Sequence, residues 1–314
     1  MNKFLYSLIL IMGLVSVMGC NVKKGNEQKS LFSVKEIKGK YSVDSNDISL
    51  INMEPCIVSN GKAYIYDNDW NEIESNNYIV KVYNGDTFCA LDCEGNIINT
   101  AEDNDNYEGY PLTTAGVRYN VEEMLKQTEK EKIISLSGSP LNGEYCIAYF
   151  DGGYTRLFAN GQMIELSDSI DVADISGSFI LSEAGDVYRV SYGDNNSNIR
   201  IEQISEKRYV NISACTYADR CIGICEDGTV TIWSDVDLNF TFCTENAKSA
   251  AMGFDYGIVL CDNGYVEFHS SNSTLEKQLS DYFHKLNIKV SAIACSYNCI
   301  AITLHNGDVN VITF

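Results

Sequence analysis

A chain of 314 residues that is 45% hydrophobic and 11% aromatic carries enough apolar material for one large all-β domain or two ordinary ones, which excludes a disordered protein. Its 43 acidic against 23 basic residues give a formal net charge of -20. Such a surface repels phosphate backbones and anionic headgroups, so nucleic acid is not an expected partner.

The N-terminal stretch "MNKFLYSLILIMGLVSVMGC" has a short basic start at Lys3, an apolar run from Phe4 to Met18, and Gly19 directly before Cys20. That is the layout of an export signal over residues 1–19, too short for a comfortable membrane span. Val17-Met18-Gly19-Cys20 resembles the lipobox of bacterial lipoproteins. The resemblance implies that Cys20 becomes the mature N-terminus and carries lipid, which contacts the membrane and holds the chain on the outer face of the cell membrane or in the periplasm. An ordinary signal peptide with an incidental cysteine is the alternative. Residues 20–30, with the polar run "NVKKGNEQKS", read as the lipidated Cys and a flexible tether.

Residues 31–314 are expected to form a single repeat domain. "SLFSVKEIKGKYSV" (30–43) alternates enough to be a strand, and "DISLIN" follows as the opening strand of a first repeat. Then a hairpin pattern recurs along the chain. It turns at Asn60-Gly61 in "CIVSNGKAYIYD", at Glu94-Gly95 in "FCALDCEGNIINT", and at Asp151 to Gly153 in "CIAYFDGGYTRLF". Four more follow, at Gly185 in "FILSEAGDVYRV", Asp227-Gly228 in "RCIGICEDGTVTIWSD", Asn263-Gly264 in "GIVLCDNGYVEFHSS", and Asn306-Gly307 in "CIAITLHNGDVNVITF". Asx-Gly supplies the positive φ of a tight turn, and the short β-branched runs on either side suit strands buried on both faces. A period of about 35 to 45 residues is that of a four-stranded propeller blade.

Small residues precede several copies, in "YVNISACT", "KSAAMG" and "VSAIACS", as crowding of innermost strands around a central channel requires. "IRIEQIS" and "FTFCT" read as outer strands. The expected fold is all-β, a seven-bladed β-propeller with blades of about four antiparallel strands. The last blade would lack an outer strand of its own, and residues 30–43 are positioned to supply it. Two stretches break the pattern. One is an insert at about 101–132, with a short helix predicted from Asn120, Val121, Glu123, Met124 and Leu125. The other is "STLEKQLSDYFHKLNIK", where Ser273 and Glu276 form a capping-box pattern and Leu275, Leu279, Phe283 and Leu286 keep a helical stripe. A helix there leaves the sixth blade without an ordinary outer strand.

A repeat running from small residues through a buried strand to Asp-Gly and then an aromatic resembles that of the regulator of chromosome condensation family, whose members form seven-bladed propellers. Trp233 stands at the family's Trp-Gly position, and Tyr66 and Phe158 occupy the matching places in other copies. The resemblance spans roughly residues 45 to 314. Ser234 replaces the following Gly, His269, Val190 and Ile312 replace aromatics, and the family's recurrent His is missing. The resemblance implies the fold; no functional residue of the family is carried over.

No catalytic motif, phosphate loop or cofactor fingerprint is visible, so no catalytic residue and no cofactor is expected. His269, His284 and His305 read as packing or surface residues. Asp67, Asp69 and Asn71 match the first ligands of a calcium loop, but Glu72 and Tyr78 occupy the positions of its Gly and its bidentate Glu; Asp103 and Asp105 fail likewise, so no metal is expected. The twelve cysteines read mainly as small buried hydrophobes, with Cys215/Cys221 and Cys295/Cys299 as the pairs able to face across a hairpin. Binding is then expected from loops. Tyr107, Tyr110 and Tyr119, among Asp103 and Asp105 of the insert, offer stacking faces and acceptors to a protein or a glycan. A lyase or glycosidase with carboxylates gathered at the channel mouth is the alternative.

Overall fold

The computed structural model describes residues 30–40, 48–51, 53–83, 89–99, 131–138, 145–159, 162–166, 170–192, 199–215, 218–236, 238, 242 and 246–314. Seven antiparallel sheets follow one another along the described chain, one per predicted repeat, and they are the seven blades of an all-β propeller.

Strand β1 (Ser33–Ile37) stands apart from the first blade, which is β2 (Ile48–Ile51), β3 (Glu54–Ser59), β4 (Lys62–Asp67) and β5 (Asp69–Glu72). Blade two has β6 (Ile79–Val82), β7 (Cys89–Asp92) and β8 (Ile97–Asn99). Blade three has β9 (Ile133–Gly138), β10 (Tyr145–Phe150), β11 (Thr155–Ala159) and β12 (Gln162–Glu165). Blade four runs β13 (Val172–Ser176), β14 (Phe179–Ser182), β15 (Val187–Tyr192) and β16 (Ile199–Gln203). Blade five has β17 (Tyr209–Ala214), β18 (Arg220–Cys225) and β19 (Val230–Ser234); the expected fourth strand "FTFCT" lies outside the described residues apart from Phe242. Blade six has β20 (Ala247–Met252), β21 (Tyr256–Cys261) and β22 (Val266–Ser270), followed by helix α1 (Ser273–Lys285). Blade seven is β23 (Val290–Cys295), β24 (Cys299–Leu304) and β25 (Val309–Thr313), completed by β1.

That last pairing closes the ring. Ser33 to Ile37 run antiparallel to Thr313 to Val309 in unbroken register, and Ile37 is buried in the cluster that joins blade seven to blade one. The N-terminal strand therefore supplies the outer strand that the C-terminal blade needs, and no long edge is left open there.

The Gly-bearing turns have a second use besides reversing the chain. Six of them are three-residue loops in which the Gly N–H bonds back three residues, as Gly228 does to the Cys225 carbonyl at 2.9 Å. With Gly228 at φ 78 this is a type I turn ending in a left-handed residue, rather than the two-residue turn that Asx-Gly alone predicts; only Asn60-Gly61, with φ 52 and 74, has the two-residue form. The turn glycine's carbonyl is then taken by the next blade: Ile79 N–H donates to Gly61 at 2.8 Å, Tyr209 to Gly185 at 2.8 Å, and Val290 to Gly264 at 3.2 Å. With Ala247 N–H donating to Gly228 at 3.4 Å, blades two, five, six and seven are thereby latched to the tip of the one before.

Between blades the core is apolar and aromatic. Trp233 packs between blades four and five, with ring centroids 4.8 Å from Tyr209 and 6.5 Å from Phe179, so the aromatic of the repeat is an inter-blade wedge. Tyr256 is fully buried between blades six and seven and donates its hydroxyl toward the carbonyls of Ser296 (2.7 Å) and Cys299 (2.8 Å). The eight cysteines whose side chains are described are free thiols, and all of them except Cys93 are buried. Cys221 lies opposite Ala214 and Trp233, and Cys295 opposite Ile300, so neither of the two candidate disulfide pairs faces across its hairpin.

Candidate functional site

Blade six departs from the ring where the sequence indicated a helix. Asn272, rather than Ser273, is the N-cap of α1: its side chain accepts from the N–H groups of Thr274 (3.1 Å) and Leu275 (3.2 Å). Relieved of capping, Glu276 reaches back to the strand, where it accepts from the Ser270 N–H at 3.3 Å. Leu275, Leu279 and Phe283 recur every four residues and bury against Phe268, Tyr256 and Ile312, so the helix covers the flank that an outer strand would otherwise fill.

The residues one step further along the same helix form a second row: Glu276, Ser280 and His284. On β22, Glu267 and His269 alternate with the buried Val266, Phe268 and Ser270, and Tyr265 continues their row. Two-residue steps along a strand cover about 6.6 Å and four-residue steps along a helix about 6 Å, so the two rows stay in register. His269 faces Glu276, with Nδ1 3.2 Å from its Oε1, and His284 faces Tyr265, with Nε2 3.1 Å from the hydroxyl. His269 Nε2 lies 2.9 Å from Glu267 Oε1, so two carboxylates share one imidazole. Phe242 stands edge-on against the same ring, 4.8 Å between centroids. Burial, and then the neighbouring Glu267 charge, push the Tyr265 hydroxyl above the usual tyrosine range.

The two rows together line a cleft of about 580 Å³, bordered also by Asn246, Asn263 and Cys261. That volume is in the range of small-ligand sites, and its lining offers carboxylates, amides, hydroxyls and imidazoles rather than a purely apolar wall. Among the described residues no group of three or more His, Cys, Asp or Glu side chains is arranged to hold a metal ion.

The residues singled out in the insert, Tyr107, Tyr110, Tyr119, Asp103 and Asp105, lie outside the described residues, as does Cys20. At the insert's end Glu131 is described, and its carboxylate pairs with Arg156, whose guanidinium also stacks over Tyr154. Asp67 and Asp69 flank Asn68 in the β4–β5 hairpin, where their carboxylates accept from the Asn68 amide (3.0 Å) and the Trp70 N–H (2.8 Å). Sequence reasoning passed over His269 and His284 because no motif surrounds either. The available signal was the i, i+4, i+8 spacing of Glu276, Ser280 and His284.

No family model and no curated protein matches the chain. Solved structures do. Human WBSCR16 superposes with a TM-score of 0.57 at 9% identity, over 88% of each chain. Prp20p of Saccharomyces cerevisiae, also called yeast RCC1, gives 0.53 at 10% identity, over 85% of this chain and 81% of its own. The N-terminal part of BBS1, solved with ARL6, gives 0.57 at 11%, over 91% and 98%. At such identities the likeness is one of fold: the chain is a β-propeller, similar in shape to these proteins.

Proposed function

We propose that this protein is an exported binding scaffold, held on the outer face of the membrane by lipid on Cys20, which receives a ligand in the cleft beside its sixth blade. The cleft carries this reading: ring closure does not need a helix in blade six, yet α1 is capped, docked and registered so that polar side chains line an open space. Glu267 and Glu276 favour a ligand rich in hydrogen-bond donors, such as an amine or a polyol. Two of the propellers similar in shape are named with protein partners, Prp20p with Gsp1p and histones, and BBS1 with ARL6. Those partners belong to those proteins; they support only the general use of such rings as scaffolds.

Two measurements test the proposal. Full-length protein expressed with a labelled fatty acid should incorporate label, and Cys20→Ala should not; equal labelling would remove the anchor. In a thermal-shift screen of amines and polyols, at least one compound should raise the melting temperature of the intact chain and fail to do so for Glu267→Gln/Glu276→Gln. Absence of any shift, or a shift kept by the double variant, would dismiss the cleft as a ligand site.

A further inference from the structure

A second surface is built into the ring at the end where the inner strands begin. In blades two to seven the pairing of inner and second strand slips by one residue at the same place, and the residue left over is the second of the inner strand. These bulged residues are Val80, Ile134, Ala173, Val210, Lys248 and Ser291 in successive blades. The first blade has no such slip, so the bulge is not a condition of blade formation. A bulge re-aims the side chain it carries. Here it leaves Val80 52%, Ile134 44% and Val210 59% exposed, and Ala173 exposed as well.

Single exposed aliphatic residues are ordinary on a protein surface. Four at one structural position in four consecutive blades form an arc around one mouth of the channel, and water contact along it is unfavourable unless something covers it. Carboxylates border the arc through the same backbone pattern. The N–H groups of Asp151, Glu183 and Glu226 donate to the carbonyls of Lys132, Asp171 and Arg208 at 3.0, 2.7 and 3.0 Å, and Cys93, just before Glu94, donates to Tyr78 at 2.8 Å. In blades three to five an exposed acidic residue is thus fixed to the residue two before the exposed apolar one, and in blade two exposed Glu94 follows the fixed Cys93. Asp171 and Asp227 add two more carboxylates, against the cations Lys132, Lys207 and Arg208. The arc is apolar and its border is acidic in balance.

We infer that this mouth docks a segment of a partner protein in which apolar side chains are flanked by lysine or arginine. The inference rests on the scaffold reading but not on the cleft, which lies beside β22 and shares none of the arc's residues. The apolar residues of the partner would cover Val80, Ile134, Ala173 and Val210, and its flanking cations would meet the turn carboxylates.

The test uses full-length protein in mild detergent and three fluorescent twelve-residue peptides: a valine-leucine centre flanked by lysines, the same centre flanked by glutamates, and lysines with a serine-glycine centre. Binding is read by anisotropy. The lysine-flanked apolar peptide should bind at least tenfold more tightly than either other peptide. Val80→Ser/Ile134→Ser/Val210→Ser, with an unchanged circular-dichroism melt, should weaken it at least tenfold, while Glu267→Gln/Glu276→Gln should leave it unchanged. Equal binding by the triple variant, preference for the glutamate-flanked peptide, or no binding by any peptide would overturn the inference. Loss of binding in the cleft variant alone would overturn it in favour of the cleft. A wild-type dimer that the triple variant converts to monomer, measured by light scattering, would assign the mouth to a second copy and overturn it likewise.

Discussion

Nζ of Lys81 lies 2.9 Å from Oδ1 of Asp174, so a single ion pair joins the inner strand of the second blade to that of the fourth, past the whole of the third. Both residues stand one step beyond a bulged residue, Val80 and Ala173. The bulges that turn apolar side chains outward also bring this pair together.

The two side chains are 38% and 32% exposed, so water screens them and their coupling should be about 0.2–1 kcal/mol. A double-mutant cycle with Lys81→Met and Asp174→Asn, followed by urea unfolding, measures it. The value should shrink in 1 M salt. A coupling that is large and indifferent to salt would mean that the pair is a desolvated element of the core instead.

Ring closure through β1 gives a sharper effect. Ile37 is 2% exposed and packs with Val309 and Val311, so Ile37→Ala should cost about 2–4 kcal/mol. Removal of residues 30–37 should lower the melting temperature further and promote association through the bared edge of β25. An unchanged melt would show that the closing strand contributes no stability.

Acid should loosen the second blade through Asp92. Burial by itself would raise this carboxyl, but the side chains of Asn96 and Asn77 and the N–H groups of Asn96 and Glu94 outweigh it and hold the group below the usual carboxylate range. A group depressed in the folded state contributes stability above its unfolded pKa and loses that contribution as pH falls through the folded value. Wild-type stability should therefore drop as pH falls below about 4, and Asp92→Asn should be less stable at neutral pH with a flatter acid limb. Parallel acid limbs would remove Asp92 from the account.

Thiol reactivity should follow burial. Burial pushes Cys56 and Cys299 up to about 12, and of the eight cysteines whose side chains are described Cys93 alone is partly exposed. Ellman's reagent at pH 8, with mass-spectrometric mapping, should label Cys93 rapidly and Cys56, Cys215, Cys221, Cys225, Cys261, Cys295 and Cys299 only after denaturation; Cys93→Ser should remove one fast thiol. Fast labelling of Cys221 or Cys295 would contradict the packing.

Much of the ring was legible because its turns are written in residues with few alternatives: Gly185 and Gly228 mark left-handed positions that other side chains resist, and the flanking apolar runs admit little but buried strands. Helix α1 was legible for the same kind of reason, its stripe of Leu275, Leu279 and Phe283 being strictly periodic. Its cap was misplaced by one residue, because Asn272 and Ser273 are both capable caps and only tertiary contact frees Glu276 for the strand. The bulges were not legible. Val80, Lys248 and Ser291 share no side-chain chemistry, and a slipped register is a property of two strands at once. The cleft was hidden for a related reason: His269 acquires meaning only when Glu276, seven residues on, is brought back across from the helix.

The latch formed by the turn glycines divides the ring into a fixed end and a variable one. Six of the seven turns between second and third strands have one and the same length, whereas the connections from inner to second strand range from two residues, between Ser176 and Phe179, to six, between Val82 and Cys89. A residue added to a latched turn would move the carbonyl that the following blade depends on; one added at the opposite end disturbs only its own blade. Sequence drift, and any graft of a foreign loop, is therefore directed to the face away from the bulged mouth, while the mouth keeps its spacing from blade to blade.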